Sequence, residues 1–102
     1  MNRFDPELLA KVEPWRLHVL EQGVIPLKQK ELMMVAMCAV ARFLPGLRIH
    51  AERALEQGAT AQELFETCAL SQLIGGVPSY RESVLIVEEL VQTPTGGPQR
   101  SE

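Results

Sequence analysis

The sequence predicts an all-α protein, and three observations lead to that prediction. Hydrophobic residues make up 46% of the 102 residues but aromatic residues only 5%, so the core must be built from Leu, Val, Ile, Ala and Met, which suit packed helices. No stretch alternates apolar and polar residues in the way that a half-buried strand requires. Helix caps and Pro or Gly breaks divide the chain into five segments with helical patterning.

The first predicted helix begins after Asp5 and ends at Gln22. Asp is a favoured N-cap residue, and Pro6 is favoured in a first helical turn. Gly23 provides a stop at the carboxyl end. Pro14 lies inside this segment and is expected to kink the helix or split it in two.

The second predicted helix, residues 28–43, is apolar around most of its circumference. One wide apolar stripe follows a helical spacing, and three Met residues fill the other side. The stripe consists of Leu32, Val35, Ala36, Ala39, Val40 and Phe43. Such a helix is expected to lie at the centre of the core or at a subunit contact.

Three more helices are predicted after the Pro45-Gly46 break, over residues 47–57, 60–74 and 80–91. Thr60 and Glu63 have the spacing of a capping box at the start of the fourth helix. Ser79 and Glu82 have the same spacing and predict a second capping box for the fifth.

One domain is predicted over residues 1–92, because a chain of this length supports a single core. Residues 93–102, TPTGGPQRSE, are rich in Pro, Gly and polar residues and predict a disordered tail. The last predicted helix and the Met-rich helix carry more apolar surface than one subunit can cover, so a homo-oligomer is expected.

Charge and hydropathy exclude two classes of partner. The net charge is −3, and no basic cluster suits nucleic acid. No apolar run is long enough to span a membrane, and the amino terminus lacks the apolar region of a signal peptide. Cys38 and Cys68 stand apart and are expected to be reduced thiols. The protein is therefore expected to be cytoplasmic.

Four segments within residues 23–83 together resemble the carboxymuconolactone decarboxylase and alkylhydroperoxidase-D superfamily. In chain order they are GVIPLKQKELMMVA, RIHAERALEQGAT, TAQELFETCALSQ and GGVPSY. The resemblance implies a helical bundle like that of alkylhydroperoxidase-D, built around an antiparallel pair formed by the helices of Glu31 and His50. It also implies assembly into a ring-like trimer or hexamer.

The superfamily's redox motif is present only in part. In the peroxidase branch it is a Glu, eleven residues, CxxC, three residues and a His. Glu31 and His50 stand at that spacing, but Phe43 and Gly46 occupy the two cysteine positions and Pro45 that of a further His. Peroxide reduction needs a thiolate and a resolving thiol. The resemblance therefore points to the decarboxylase-like branch, which works without that pair and without a cofactor.

His50 and Glu31 are the candidate catalytic residues. A His held by a carboxylate can move a proton near neutral pH, and decarboxylation needs an acid to protonate the carbanion or dienolate that forms. His50 is the candidate acid and Glu31 its orienting partner. The competing interpretation is a structural pair, in which Glu31 only satisfies a buried histidine.

Three other residues are candidates for the site. Arg42 and Arg48 flank the Pro-Gly break and are candidate binders of a substrate carboxylate, although both also fit a solvated surface. Cys38 lies two helical turns after Glu31 and is a possible pocket thiol, or else a small core residue. His18 fits an exposed position. No residues have the spacing of a metal site, so no metal or cofactor is expected.

Three functional hypotheses remain open. The first is a cofactor-free decarboxylase, a carbon-carbon lyase, or a related proton-transfer enzyme acting on a small carboxylated lactone or similar acid. The second is a peroxidase that uses Cys38 or Cys68. The third is a non-catalytic, oligomeric binding protein that keeps the fold without the chemistry.

Overall fold

The computed structural model describes residues 5–92, which form five α-helices and no strand. The helices are α1 (Pro6–Glu21), α2 (Leu27–Ala41), α3 (Leu44–Glu56), α4 (Ala61–Gly75) and α5 (Val77–Val91). The prediction of an all-α protein is therefore confirmed. The tail predicted over residues 93–102 lies outside the described residues, and the single domain over residues 1–92 stays a prediction.

Two helical hairpins form the body of the fold. Only Arg42 and Phe43 separate α2 from α3, and only Gly76 separates α4 from α5, so each pair folds back on itself. Helix α2 packs against α3, α4 and α5, while α1 packs mainly on α2. The pair α2–α3 is thus the antiparallel central pair that was predicted. Within the described residues, no helix is long and apolar enough to cross a membrane.

The core lies where α2, α3, α4 and α5 meet, and it is built from small and aliphatic side chains. Each of these four helices contributes to it, and no aromatic residue is among the most buried. The buried apolar residues are Val35, Ala39, Leu47, Ala51, Ala54, Ala59, Leu64, Cys68 and Val87. The buried residues of α3 are mostly small, so that helix can approach its neighbours closely. Close approach fills the space that large aromatic side chains would otherwise occupy.

Capping residues define two of the helix starts as predicted. The Asp5 carboxylate accepts a hydrogen bond from the backbone N–H of Glu7 at 3.0 Å. Thr60 and Glu63 form the predicted capping box, with bonds of 2.9 and 3.0 Å. Pro14 does not split α1, which is one continuous helix. The carbonyl that loses its donor belongs to Ala10, an exposed residue, so water can satisfy it.

Two helices begin three residues earlier than predicted, and the second capping box is wrong. Pro45 and Pro78 lie in the first turns of α3 and α5 rather than before them, where proline is well tolerated. The N-cap of α5 is Gly76, at φ 90°. Ser79 is buried instead, and Glu82 forms an ion pair with Arg42, the C-cap residue of α2.

The turn between α4 and α5 packs tightly against α2. A Cβ on Gly75 would overlap the Ser79 hydroxyl and lie 3.2 Å from the Cα of Val40. The Ser79 Oγ is itself buried and has no hydrogen-bond partner among the described residues. The close packing of the carboxyl end of α4 against α2 and against the first turn of α5 therefore depends on glycine at position 75.

We expect Gly75→Ala to destabilise the protein, because overpacking costs about 1–3 kcal/mol. Ser79→Ala should be neutral or slightly stabilising, since it removes an unpaired buried hydroxyl. In the double variant the alanine at position 75 gains the space of the lost hydroxyl, so its cost should be smaller. Urea unfolding of all four proteins measures this coupling. Strict additivity of the two effects would contradict this close contact between positions 75 and 79.

Many large apolar side chains remain exposed on the outer sides of α2, α4 and α5. The more exposed among them are Met37, Leu70, Leu73, Ile74, Val77 and Leu85. A groove of about 420 Å³ between α2 and α4 is lined almost entirely by apolar atoms. Monomeric soluble proteins rarely expose a large contiguous apolar patch, so this surface is what a homo-oligomer would cover. The homo-oligomer stays a prediction.

Light scattering coupled to gel filtration tests that prediction. We expect a mass that is a multiple of the 11.4 kDa chain at micromolar concentration, because self-association removes apolar surface from water. Dilution should leave this mass unchanged if the assembly is tight. A mass equal to that of one chain would contradict the prediction.

Candidate functional site

Glu31 and His50 meet across the α2–α3 interface. The Nδ1 atom of His50 lies 2.6 Å from the Oε1 atom of Glu31, which is a short hydrogen bond between a ring nitrogen and a carboxylate oxygen. The Glu31 side chain is only 3% exposed and the His50 side chain 14%. The structure thus brings together the two residues that the superfamily spacing singled out.

The helical hairpin explains how residues nineteen positions apart come into contact. Glu31 lies in the second turn of α2, and His50 lies midway along α3, rather than in its first turn as the sequence predicted. The difference arises because α3 begins at Leu44, three residues before the predicted start. Since α3 runs back along α2, the middle of α3 comes level with the first half of α2.

The contact with Glu31 assigns different roles to the two ring nitrogens of His50. A carboxylate only accepts hydrogen bonds, so the proton of a neutral ring lies on Nδ1. The other nitrogen, Nε2, has no hydrogen-bond partner among the described residues. Nε2 is therefore the atom that can exchange a proton with a bound molecule.

His50 opens onto a pocket of about 220 Å³ between α1 and the central pair. Four residues of α1 and one of α2 complete the wall. The lining residues are Trp15, Arg16, Val19, Leu20, Met34 and His50. The surface is mostly apolar, and Arg16 and His50 are the two residues in it that can carry positive charge.

Helix α1 is the outer wall of this pocket, and it is held largely at its carboxyl end. No residue of α1 is fully buried. Lys30 donates hydrogen bonds from Nζ to the carbonyl oxygens of Val19 and Gln22, at 2.7 and 2.5 Å. A cation at a helix carboxyl terminus also complements the helix dipole. Lys30 therefore positions α1, while its neighbour Glu31 holds His50.

The structure places Arg42 and Arg48 away from this pocket. Arg42 is the left-handed C-cap of α2, at φ 61°, and its Nε and Nη2 atoms each lie 2.8 Å from the carboxylate of Glu82. That hydrogen bond lowers the pKa of Glu82. Arg48 pairs with Glu89. Both arginines thus bind carboxylates of α5, and neither lines the His50 pocket.

Cys38 and Cys68 are not brought together as a thiol site. Cys68 is buried in the core. Cys38 is half-buried near the carboxyl end of α2, far along the helix from Glu31, and does not line the His50 pocket. Burial raises the pKa of both thiols. Neither environment favours the thiolate that peroxide chemistry needs.

The positions of the superfamily's cysteine pair lie against Cys38. A Cβ on Gly46 would come within 2.5 Å of the Phe43 ring and 3.2 Å of the Cys38 Sγ. The Phe43 ring therefore covers the site where the second cysteine would stand. Across residues 5–92, no three His, Cys, Asp or Glu residues form a group that could hold a metal ion.

Sequence reasoning missed Trp15 and Arg16. Both lie in the middle of α1 and reach the pocket only because of how α1 rests on α2. The local pattern carried no signal for this, since the apolar and polar residues of α1 do not define one clear buried face. The α1 contribution could be found only from the tertiary structure.

Comparisons with known proteins agree with this architecture. The model of the carboxymuconolactone decarboxylase family matches residues 6–89. The fold is similar to the crystal structure of a protein from Burkholderia xenovorans LB400 that is provisionally assigned as a carboxymuconolactone decarboxylase. The TM-score is 0.79 at 24% identity, over 95% of this chain and 79% of that one. A comparison with curated proteins finds no match. From the family match over most of its length, this chain belongs to the carboxymuconolactone decarboxylase family.

Proposed function

We propose that the protein is a cofactor-free enzyme that decarboxylates a small carboxylated lactone or similar acid, or carries out a related proton transfer on it. His50 is the general acid and Glu31 its orienting partner. The observation that carries the proposal is the 2.6 Å contact between His50 Nδ1 and Glu31 Oε1 in a ring that also lines a pocket. Membership of the carboxymuconolactone decarboxylase family supports the reaction class.

The chemistry requires one proton and no redox partner. When the carbon-carbon bond to the carboxylate breaks, carbon dioxide leaves and the electron pair passes into the conjugated carbonyl system of the lactone. The resulting dienolate takes a proton on carbon from Nε2–H of the protonated His50 ring. His50 is then neutral, keeps the proton on Nδ1 that it donates to Glu31 as a hydrogen bond, and regains the Nε2 proton from water.

The surroundings of the pair suit this role. Glu31 is buried beneath the ring, so its negative charge is poorly screened by water and complements the imidazolium form. The carboxylate also fixes the plane of the ring. The wall beside the ring is mostly apolar, and an apolar wall favours proton transfer to the substrate carbon over exchange with solvent.

Substitution of His50 by Gln tests the catalytic role. We expect turnover of a panel of carboxylated lactones to fall by about a hundredfold or more, because general acid catalysis contributes on that scale. Glu31→Gln should cause a smaller loss, since Gln still accepts a hydrogen bond from Nδ1 but lacks the charge. His18→Gln is the matched control, because His18 is the other histidine of the chain.

Thermal melts of the same variants separate catalysis from structure. The catalytic proposal expects lost turnover with a small change in melting temperature. A purely structural pair predicts instead that both variants unfold more easily, since breaking a buried charged pair costs about 3–5 kcal/mol. Wild-type protein that turns over no acid in the panel would favour the non-catalytic binding protein.

The thiol peroxidase alternative has no support in the geometry. Cys38 and Cys68 are separated in the structure, and burial raises the pKa of each thiol. A raised pKa keeps a thiol protonated at neutral pH, so the thiolate fraction and the reaction rate grow only as the pH rises towards that value.

Alkylation kinetics test this directly. We expect iodoacetamide at about pH 7.5 to react at least about tenfold more slowly with native than with urea-unfolded protein, and the native rate to keep rising above about pH 9. The Cys38→Ser, Cys68→Ser double variant should keep whatever turnover the wild type has. Rapid native alkylation, together with peroxide reduction that the double variant lacks, would favour the peroxidase.

A further inference from the structure

We propose that Arg16 binds the carboxylate of the ligand in the His50 pocket, and that Trp15 and its apolar neighbours hold the rest of the molecule. The ligand class is a small carboxylic acid with a compact apolar or planar body. This inference rests on the proposed function in that it names the group that recognises the substrate at the same site.

The position of Arg16 is the first support. Arg16 and His50 face one pocket of about 220 Å³, from opposite elements of the fold. The other lining residues carry no charge, so the positive charge of the pocket is concentrated at these two side chains. The Arg16 guanidinium is the one permanently charged group that an acid can bind in this pocket, and the body of the acid then lies beside the His50 ring.

The bonding of Arg16 leaves it able to take a ligand. Its ion pair with Glu13 is a single contact, from Nη2 to Oε1 at 3.0 Å, and the two side chains are 37% and 47% exposed. Exposed pairs of this kind contribute little to stability. A guanidinium has five N–H donors, so a carboxylate can bind in a bidentate manner with or without Glu13.

Arg42 offers a contrast within the same chain. Its Nε and Nη2 atoms both bind Glu82, at 2.8 Å each, which is the bidentate geometry that Arg prefers with carboxylates. A ligand would have to displace that pair from a well-formed contact. Arg16 is therefore the better candidate to bind a ligand carboxylate. Its contact with Glu13 is weaker than that of Arg42 with Glu82, and it lines the His50 pocket.

The other residues of the pocket wall determine the polarity of the rest of the ligand. Trp15, Val19, Leu20 and Met34 present an apolar surface, and Trp15 is 67% exposed. A bound molecule covers part of the indole and removes apolar surface from water. The same burial lowers the local dielectric and strengthens the contact between Arg16 and the carboxylate.

Trp15 also supplies the measurement, because it is the one tryptophan of the chain. Its fluorescence can be followed while the protein is titrated with γ-butyrolactone-γ-carboxylate. The corresponding γ-carboxamide is the neutral control. We expect the carboxylate to change the emission at millimolar concentration or below and the carboxamide to bind more weakly. This readout needs no turnover.

Three variants make the test specific. Arg16→Gln should weaken carboxylate binding by about tenfold or more while leaving carboxamide binding unchanged, because charge-assisted hydrogen bonds contribute on that scale. Lys11→Gln removes an exposed charge from the same helix and should have no effect. Glu13→Gln should tighten carboxylate binding, since it removes the competing acid.

The outcomes separate this inference from the proposed function. Equal losses of both ligands in Arg16→Gln, no loss at all, or no preference of the wild type for the carboxylate would overturn the role of Arg16. If the wild type binds the carboxylate through Arg16 but turns over no acid, the recognition site stands and the catalytic proposal fails. If Arg16→Gln turns over acids with an unchanged KM, the catalytic proposal stands and this inference fails.

Discussion

The contact between the Glu31 carboxylate and the His50 ring is the constraint on which the rest of the site depends. Glu31 is the one buried residue with a charged side chain in the described part of the chain. A buried carboxylate needs a hydrogen-bond donor, and α3 brings the His50 ring to Glu31 to supply one. A shift of α3 along α2 by one turn would leave that carboxylate unpaired. The pair therefore favours this relative position of the two central helices.

The same stretch of α2 determines where the pocket wall lies. Lys30 precedes Glu31 by one residue, so the two side chains leave the helix in different directions. Glu31 reaches inward to His50, while Lys30 reaches outward to the last carbonyl groups of α1. One turn of α2 thus positions both the ring and the helix that faces it. Because α1 buries no side chain completely, its attachment at Lys30 is the main polar anchor of the wall.

The sequence predicted the helices well where polar caps define them, and less well where proline does. Asp5 and Thr60 placed two helix starts correctly, since their side chains bond to the first backbone donors. Pro45 and Pro78 were interpreted as breaks, yet each occupies a first helical turn. The approach of Glu31 to His50 could be predicted because it follows from superfamily spacing on a hairpin. Arg16 could not, because its place depends on the tertiary packing of α1, which no local pattern records.

Glu31 and His50 keep their superfamily spacing although the cysteine pair is absent, and the structure explains why the two parts of the motif are separable. Phe43 and Gly46 lie at the junction of α2 and α3, whereas Glu31 and His50 meet further along the hairpin. Any side chain at position 46 must displace the Phe43 ring, which lies 2.5 Å from the Cβ that glycine lacks. The aromatic ring and the glycine are thus complementary in shape, and a single Gly46→Cys substitution would be crowded. The contact between Glu31 and His50 involves neither residue, so its geometry does not depend on the redox positions.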